Sequence, residues 1–241
     1  MTSNIPVIFC AIDTPDINTA KSIAKSISSE NCGIKLGLEF FNANGPQGIR
    51  EISDHCPNIP IFLDLKYHDI PNTVASSLKA IAPLEIDFVN IHCAGGREMM
   101  EISSKALRQK CQEENLKCPK ILGVTILTSL NQEAIEEVGY RGTVKDQVEK
   151  MALLAKESGL DGVVCSSHEI EIVKNSCGVN FITMVPGIRP AGSASNDQKR
   201  TMTPPEAIQA GAHHLVIGRP ITQANNPAQS AKDINESINV G

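Results

Sequence analysis

Aromatic residues are scarce in this chain of 241 residues: tryptophan is absent, and aromatic side chains account for 3% of the sequence. We therefore expect isoleucine, valine, leucine and alanine to build the core. The hydrophobic content of 41% and the charged content of 20% are typical of a globular protein. A chain of this length buries enough surface to fold without disulfides or a structural metal.

An excess of positive charge is also missing. The chain carries 22 lysines and arginines against 27 aspartates and glutamates, a formal net charge of −5. A nucleic-acid-binding protein would be expected to show a basic face, so we predict no nucleic-acid partner. An anionic ligand would have to be bound by a local cluster of donors rather than by the overall field.

Metal-binding cysteine pairs and membrane segments are absent as well. None of the eight cysteines forms a C-x-x-C pair, which argues against a zinc site. Several, such as Cys10 and Cys165, lie inside apolar runs and are expected to be free thiols in a reducing cytosol. No signal peptide precedes the first apolar run, and no run approaches the ~20 residues of a membrane span. We expect a cytoplasmic protein with no membrane contact.

Short apolar runs recur along the whole chain. They are continuous rather than alternating, which is typical of strands buried on both faces of a parallel sheet. The eight runs are Val7–Ile12, Gly33–Leu36, Ile59–Leu65, Ile86–His92, Ile121–Leu127, Gly162–Cys165, Phe181–Val185 and His214–Ile217. Eight such units favour a (β/α)8 TIM barrel, with an open doubly wound sheet as the alternative.

Amphipathic segments lie between most of these runs, at helical spacing. The predicted helices are Ile17–Ser28, Thr73–Ile81, Gly95–Asn115, Val144–Ser158, Pro204–Ala210 and Asn226–Ile238. The longest irregular stretch, Pro186–Met202, is predicted to be a functional loop such as a lid. No linker divides the chain, so we expect one catalytic domain over residues 1–241.

The third predicted strand ends in the charged run Asp64-Leu65-Lys66-Tyr67-His68-Asp69. Active sites of parallel barrels lie at the carboxyl ends of the strands. Asp64 and Lys66 have strand spacing, which places their side chains on the same side. A buried ion pair without a function is the alternative, but burying charge costs several kcal/mol. A lysine between two carboxylates stays protonated and could donate a proton.

Charged residues also end the first two strands. Lys35 lies at the end of the second strand, with an exposed lysine on the rim as the alternative. Asp13 follows the first, where it could instead cap the next helix. His92 ends the fourth strand, and we expect a hydrogen-bonded structural role for it because one histidine makes no metal site.

The last two strands end in segments suited to a phosphate. Gly218 lets backbone N–H groups approach an anion, and Arg219 follows it. Arg189 lies after the seventh strand, so two arginines could clamp one phosphate. Two surface arginines in turns remain the alternative.

Taken together, these motifs resemble the orotidine 5′-phosphate decarboxylase family along the length of the chain. The most specific segment is Asp64-Leu65-Lys66-Tyr67-His68-Asp69-Ile70-Pro71-Asn72-Thr73. Less specific matches are Ala11–Asp13, Ile34–Gly37, Val124–Ser129, Val185–Pro190, Gln198 and Ile217–Pro220. Ile12 stands where the family more often has leucine.

The resemblance implies decarboxylation of orotidine 5′-phosphate to UMP and CO2 by a homodimer without metal or organic cofactor. It implies that Lys66 protonates C6, that Asp64 lies against the substrate carboxylate, and that Lys35 holds Asp64 and a ribose hydroxyl. It also implies that Asp69 and Thr73 reach the partner subunit's site. The remaining substrate-binding residues it implies are Asp13 (ribose), Thr128 (pyrimidine), and Gln198, Gly218, Arg219 and Arg189 (phosphate region).

Two other functions fit parts of the pattern. Magnesium-dependent sugar-phosphate decarboxylases and hexulose-phosphate synthases of the same superfamily share a similar Asp-x-Lys-x-x-Asp strand end. They hold the metal partly with a carboxylate on the second strand, where this chain has the cation Lys35. A barrel that only binds a nucleotide would not need a lysine flanked by two carboxylates.

Overall fold

The computed structural model of the protein describes residues 5–190 and 202–239. Within these residues, eight parallel strands close into a barrel in chain order, and β8 pairs with β1. The closed barrel confirms the predicted (β/α)8 fold and excludes the open sheet. The strands are β1 (Ile8–Ile12), β2 (Cys32–Gly37), β3 (Ile61–Tyr67), β4 (Phe88–His92), β5 (Lys120–Val124), β6 (Gly162–Val164), β7 (Ile182–Pro186) and β8 (His214–Ile217).

Helices follow the strands on the outside of the barrel. They are α1 (Ile17–Ile27), α2 (Leu38–His55), α3 (Pro71–Ile81), α4 (Gly96–Glu113), α5 (Gln132–Glu137), α6 (Val144–Glu157), α7 (Ile170–Cys177), α8 (Pro204–Ala210), α9 (Arg219–Thr222) and α10 (Pro227–Asn239). The six predicted helices are present within two residues at each end. Helices α2, α5, α7 and α9 were not predicted.

The predicted aliphatic core describes the layer between strands and helices but not the interior of the barrel. Aliphatic side chains do fill the layer between strands and helices. Inside the barrel, however, Phe9, Phe62 and Phe88 pack with smaller residues, and the rings of Phe9 and Phe88 meet edge to face at 5.5 Å. The prediction was wrong for the interior because three of the six phenylalanines lie where strands from opposite sides must fill one space.

The predicted loop Pro186–Met202 lies partly outside the described residues. Pro186 is the last residue of β7. At the base of the loop, Ile188 and Met202 form an isolated parallel bridge, and the Arg189 N–H donates to the carbonyl of Met202 at 3.0 Å. The two ends of the loop are therefore held together beside the mouth of the barrel.

Across the described ranges, 5–190 and 202–239, we find no helix with both the length and the apolar character that crossing a bilayer would demand.

Candidate active site

Four charged side chains form one connected cluster at the carboxyl ends of β1, β2 and β3. This charged cluster consists of Asp13, Lys35, Asp64 and Lys66. Lys35 Nζ lies 3.0 Å from Asp13 Oδ1 and 3.6 Å from Asp64 Oδ2. Lys66 Nζ lies 2.6 Å from Asp64 Oδ1. The side chains of Lys35 and Asp64 are almost buried, whereas that of Lys66 is 31% exposed and can be reached by a ligand.

Asp13 belongs to this charged cluster and is not a helix cap. The N-cap of α1 is Asp16, whose carboxylate accepts the N–H of Thr19 at 2.6 Å. Asp13 instead accepts a hydrogen bond from Lys35. Because β1 and β2 are paired with Ala11 opposite Lys35, the side chain of Lys35 reaches the residue that follows β1. Lys35 is accordingly buried between two carboxylates rather than exposed on the rim.

An irregularity in β3 brings Lys66 back onto Asp64. In the pairing of β3 with β4, Leu63 lies opposite Val89, but Tyr67 lies opposite Ile91, so β3 contains two extra residues. Lys66 takes a left-handed φ of 49°, which is uncommon for a non-glycine residue. The alternation of a regular strand, from which we predicted that Asp64 and Lys66 share a side, therefore does not apply here. The bulge produces their contact.

Asn90 of β4 holds both ends of this bulge, and the sequence reasoning missed it. Its side-chain oxygen accepts the backbone N–H of Lys66 at 2.7 Å, and its amide nitrogen donates to Asp64 Oδ1 at 2.7 Å. The side chain is completely buried. The signal that could have indicated it is an amide in the middle of the apolar run Phe88–His92, at an inward-facing position.

The carboxyl group of Asp64 is kept ionised by its surroundings. Burial by itself would raise its pKa, but the charges of Lys35 and Lys66 and hydrogen bonds from Lys66 and Asn90 outweigh burial and lower the pKa. The site therefore holds a fixed negative charge beside the partly exposed ammonium of Lys66.

His92 lies at the inner rim beside this cluster, close to His68. The two imidazole centroids are 5.1 Å apart. Burial, followed by the charges of His68 and Lys66, lowers the pKa of His92 to about 4, so His92 is neutral at physiological pH. A neutral His92 adds no positive charge next to Lys66.

Within a single subunit, Asp69 and Thr73 are not part of the charged cluster. Both are exposed. Asp69 Oδ1 accepts the N–H of Ile70 at 2.6 Å, and Thr73 lies in the first turn of α3. Ile70 between them is 68% exposed, the highest value among the large apolar side chains of the described residues.

Asp13, Gly218 and Arg219 line one small cavity of about 240 Å³. They meet because β1 and β8 are neighbours in the closed barrel, with Cys10 opposite Ile217. Arg219 begins the short helix α9 directly after Gly218.

The remaining predicted site residues are Thr128, Arg189 and Gln198. Thr128 is exposed in the turn after β5, and no hydrogen bond within the described residues links it to Asp64 or Lys66. Arg189 lies at the base of the 186–202 loop, where its guanidinium donates to the carbonyl of Ile188 at 2.9 Å. Gln198 lies outside the described residues.

This arrangement can bind an anionic ligand and move a proton. Lys66 supplies a positively charged donor that is partly open to the mouth, and Asp64 and Lys35 fix its position. In the described part of the chain, no three His, Cys, Asp or Glu side chains are grouped as metal ligands. The cation between the carboxylates of Asp13 and Asp64 is the ammonium of Lys35.

Comparison with known proteins identifies the family of this chain. The sequence model described as orotidine 5′-phosphate decarboxylase / HUMPS family matches residues 6–234. A Moorella thermoacetica protein named orotidine 5′-phosphate decarboxylase is 44% identical over 232 residues, covering 96% of this chain and 91% of that protein. The protein of the same name from Wolbachia sp. subsp. Brugia malayi is 47% identical over 231 residues, covering 96% and 98%.

A solved structure extends the similarity to the fold. The crystal structure of orotidine 5′-phosphate decarboxylase from Lactobacillus acidophilus superposes with a TM-score of 0.86 at 34% sequence identity. The alignment covers 98% of this chain and 100% of that one. Sequence and fold thus match over the full span of the barrel.

Proposed function

The chain belongs to the orotidine 5′-phosphate decarboxylase / HUMPS family, and we propose from this premise that it converts orotidine 5′-phosphate to UMP and CO2, the last step of UMP synthesis. The observation that carries the proposal is the ammonium of Lys66, 2.6 Å from Asp64 and partly open to the mouth of the barrel. The names of relatives 44–47% identical support the same reaction.

Lys66 is proposed to stabilise the transition state and donate the proton. When the C6–carboxylate bond of the substrate breaks, CO2 leaves and the electron pair stays on C6, where no π-system absorbs it. A fixed ammonium stabilises this developing charge electrostatically and then transfers a proton from Nζ to C6. The neutral amine takes a proton from solvent before the next turnover.

Asp64 and Lys35 are proposed to prepare this step. The low pKa of Asp64 keeps a negative charge where the substrate carboxylate would lie, and the resulting repulsion is relieved as CO2 departs. This ground-state effect is secondary to the lysine. Lys35 holds Asp64 in place and, beside Asp13, can donate to a ribose hydroxyl.

The donor set favours a metal-independent reaction over the magnesium-dependent chemistry of the alternative enzymes. A divalent cation between Asp13 and Asp64 would have to displace Lys35, whose ammonium already lies 3.0 and 3.6 Å from their carboxylates. Two positive charges at that separation repel each other strongly when buried.

The phosphate is proposed to bind at the mouth near β7 and β8. Gly218 and Arg219 line the same small cavity as Asp13, so the ribose and phosphate ends of the substrate could be bound side by side. Arg189 and Gln198 are assigned to the phosphate and Thr128 to the pyrimidine edge, as the family resemblance implies. Binding energy from the phosphate can then be used to orient C6 against Lys66.

We further propose a homodimer whose active sites are shared. Asp69 and Thr73 lie outside the charged cluster of their own subunit, on an exposed segment that also carries Ile70. Leu38, after β2, is a second exposed apolar residue at the same end of the barrel, 52% accessible. A partner covering this surface would bury both and bring Asp69 to the other subunit's site.

The test is a spectrophotometric decarboxylation assay of the purified protein with orotidine 5′-phosphate. We expect turnover without added cofactor, and a fall in kcat of roughly 10⁴-fold or more for Lys66→Ala, because proton donation and charge stabilisation are lost together. A robust rate in Lys66→Ala would overturn the role of the lysine.

The same assay in EDTA separates the two candidate reactions. We expect an unchanged rate in EDTA. Activity lost in EDTA and restored by magnesium would instead support a magnesium-dependent sugar-phosphate enzyme, for which a sugar phosphate is the substrate to try next.

A further inference from the structure

Asn90 makes a pair of contacts that only one orientation of its amide allows. The backbone N–H of Lys66 is a donor, so it must face the side-chain oxygen. The carboxylate of Asp64 is an acceptor, so it must face the amide nitrogen. An amide can serve both at once, which neither a hydrocarbon nor an ionised carboxylate can do.

The segment between these contacts is the one part of β3 that leaves the ladder with β4. Pairing stops at Leu63 and resumes at Tyr67, two residues out of step. The N–H of Lys66 would lack a ladder partner inside the barrel, and its left-handed backbone is costly for a residue with a side chain. The amide of Asn90 supplies the missing partner.

The same amide also fixes the acid half of the site. Asp64 Oδ1 accepts from Lys66 Nζ at 2.6 Å and from Asn90 at 2.7 Å, so two donors converge on one oxygen. The other oxygen, Oδ2, faces Lys35. Rotation of the carboxylate would break all three interactions, so Asn90 restrains the direction in which Asp64 and Lys66 point.

We propose that Asn90 is a positioning residue that sets the geometry of the Asp64–Lys66 pair by bridging the β3 bulge from β4. The inference rests on the proposed decarboxylation, because it assigns Asn90 to the step that Lys66 performs. Asn90 is buried behind the pair and acts through it rather than by contact with the substrate.

The test compares Asn90→Leu, which keeps the number and branching of the side-chain heavy atoms and loses both hydrogen bonds, with Asn90→Asp. We expect kcat of Asn90→Leu to fall roughly 10- to 100-fold with little change in KM, because the phosphate end of the site is untouched. An unchanged kcat, or a loss confined to KM, would overturn the proposal.

Asn90→Asp gives a signature that a purely structural role would not. When protonated, the new carboxyl can donate to Asp64 and accept from the Lys66 N–H. When ionised, it repels Asp64. We therefore expect kcat to recover as the pH falls through the apparent pKa of the new carboxyl pair. A pH-independent loss relative to wild type contradicts the proposal, and it decides the question alone if Asn90→Leu does not fold.

Thr183→Val is the matched control. Thr183 is equally buried in β7, and its hydroxyl is bonded to the N–H and ring of His213 at 3.1 Å, near the amino end of the strand and away from the mouth. It should lose stability but keep kcat. If the wild type itself fails to decarboxylate orotidine 5′-phosphate, the proposed function falls. Asn90 is then judged by a crystal structure of Asn90→Leu, where an unchanged β3 bulge and Lys66–Asp64 contact would overturn its role.

Discussion

At the scale of single residues, Lys35 shows how the site tolerates a buried carboxylate. The pKa of Asp64 is depressed although its burial acts in the opposite direction, and the charge of Lys35 is the largest compensating influence. Because the folded pKa lies below the unfolded one, the unfolded state binds more protons in acid. Asp64 therefore contributes stability above its ordinary pKa, and this is lost as pH falls through the folded pKa.

Removing Lys35 should move that loss to higher pH. In Lys35→Met the burial of Asp64 is less well compensated, so its pKa rises and the protein unfolds at a higher acid midpoint. Circular dichroism over a pH series measures the shift. Lys21→Met is the control, because it removes an ion pair with Glu51 of 2.7 Å on the surface between α1 and α2 and should leave the midpoint nearly unchanged. Equal shifts in both variants would contradict this account.

The residue scale also marks a limit of sequence reasoning. Asp13, Lys35, Asp64 and Lys66 could be singled out because charge at the ends of apolar strands is costly and therefore informative. Asn90 could not, because a single amide in an apolar strand has many explanations until its partners are known. Its partners lie 24 and 26 positions away in sequence, on another strand.

At the scale of elements, the helices that were predicted have uninterrupted apolar spacing, and α2 does not. Gly45 takes a φ of +60° and Pro46 follows it, so α2 is two helical segments joined at a kink. Glycine allows that backbone and proline can begin a helix, where its missing N–H is not needed. In the sequence the same two residues are typical of a loop, which is why the helix was missed.

Helix α6 carries a clear local start signal that can be tested separately from the site. The Thr143 hydroxyl accepts the N–H of Asp146 at 3.1 Å, and the Asp146 carboxylate accepts the N–H of Thr143 at 2.9 Å. Thr143→Ala should lower the free energy of unfolding by about 1 kcal/mol, measured by urea denaturation, with kcat unchanged. Thr143→Ser keeps the cap and should restore stability. If serine is no better than alanine, the hydroxyl is not what stabilises the helix.

At the scale of the whole molecule, the shared active site predicts complementation. If Asp69 acts in the partner subunit's site, a hybrid of Asp69→Ala and Lys66→Ala subunits has one site with both defects and one with neither. Equal mixing after dissociation should recover about a quarter of wild-type activity, because about half of the dimers are hybrids.

The controls for complementation are the two variants alone at the same total concentration, each of which should be nearly inactive. Hybrid formation is checked by mass spectrometry of differently tagged subunits. Hybrids that form without any recovered activity would place Asp69 outside the partner's site. A high rate in Asp69→Ala alone would remove it from the reaction.

By itself, the sequence determined the eight-stranded barrel and the charged residues at its mouth. Both follow from local features of the sequence: continuous apolar runs, helical spacing between them, and charges at strand ends. Parallel pairing of β1, β2 and β3 as neighbours then brings their carboxyl ends together, and Lys35 lies between Asp13 and Asp64 as a result.

Only the tertiary structure decided how those residues are held. The phenylalanine-filled interior, the two extra residues in β3 and the amide of Asn90 across the ladder all depend on strand register. Register is set by the packing of the whole barrel rather than by neighbours in sequence, because a shift of one residue moves every side chain of a strand to the other face. The side-chain contacts between strands therefore could not be predicted from the sequence and became known only from the structure.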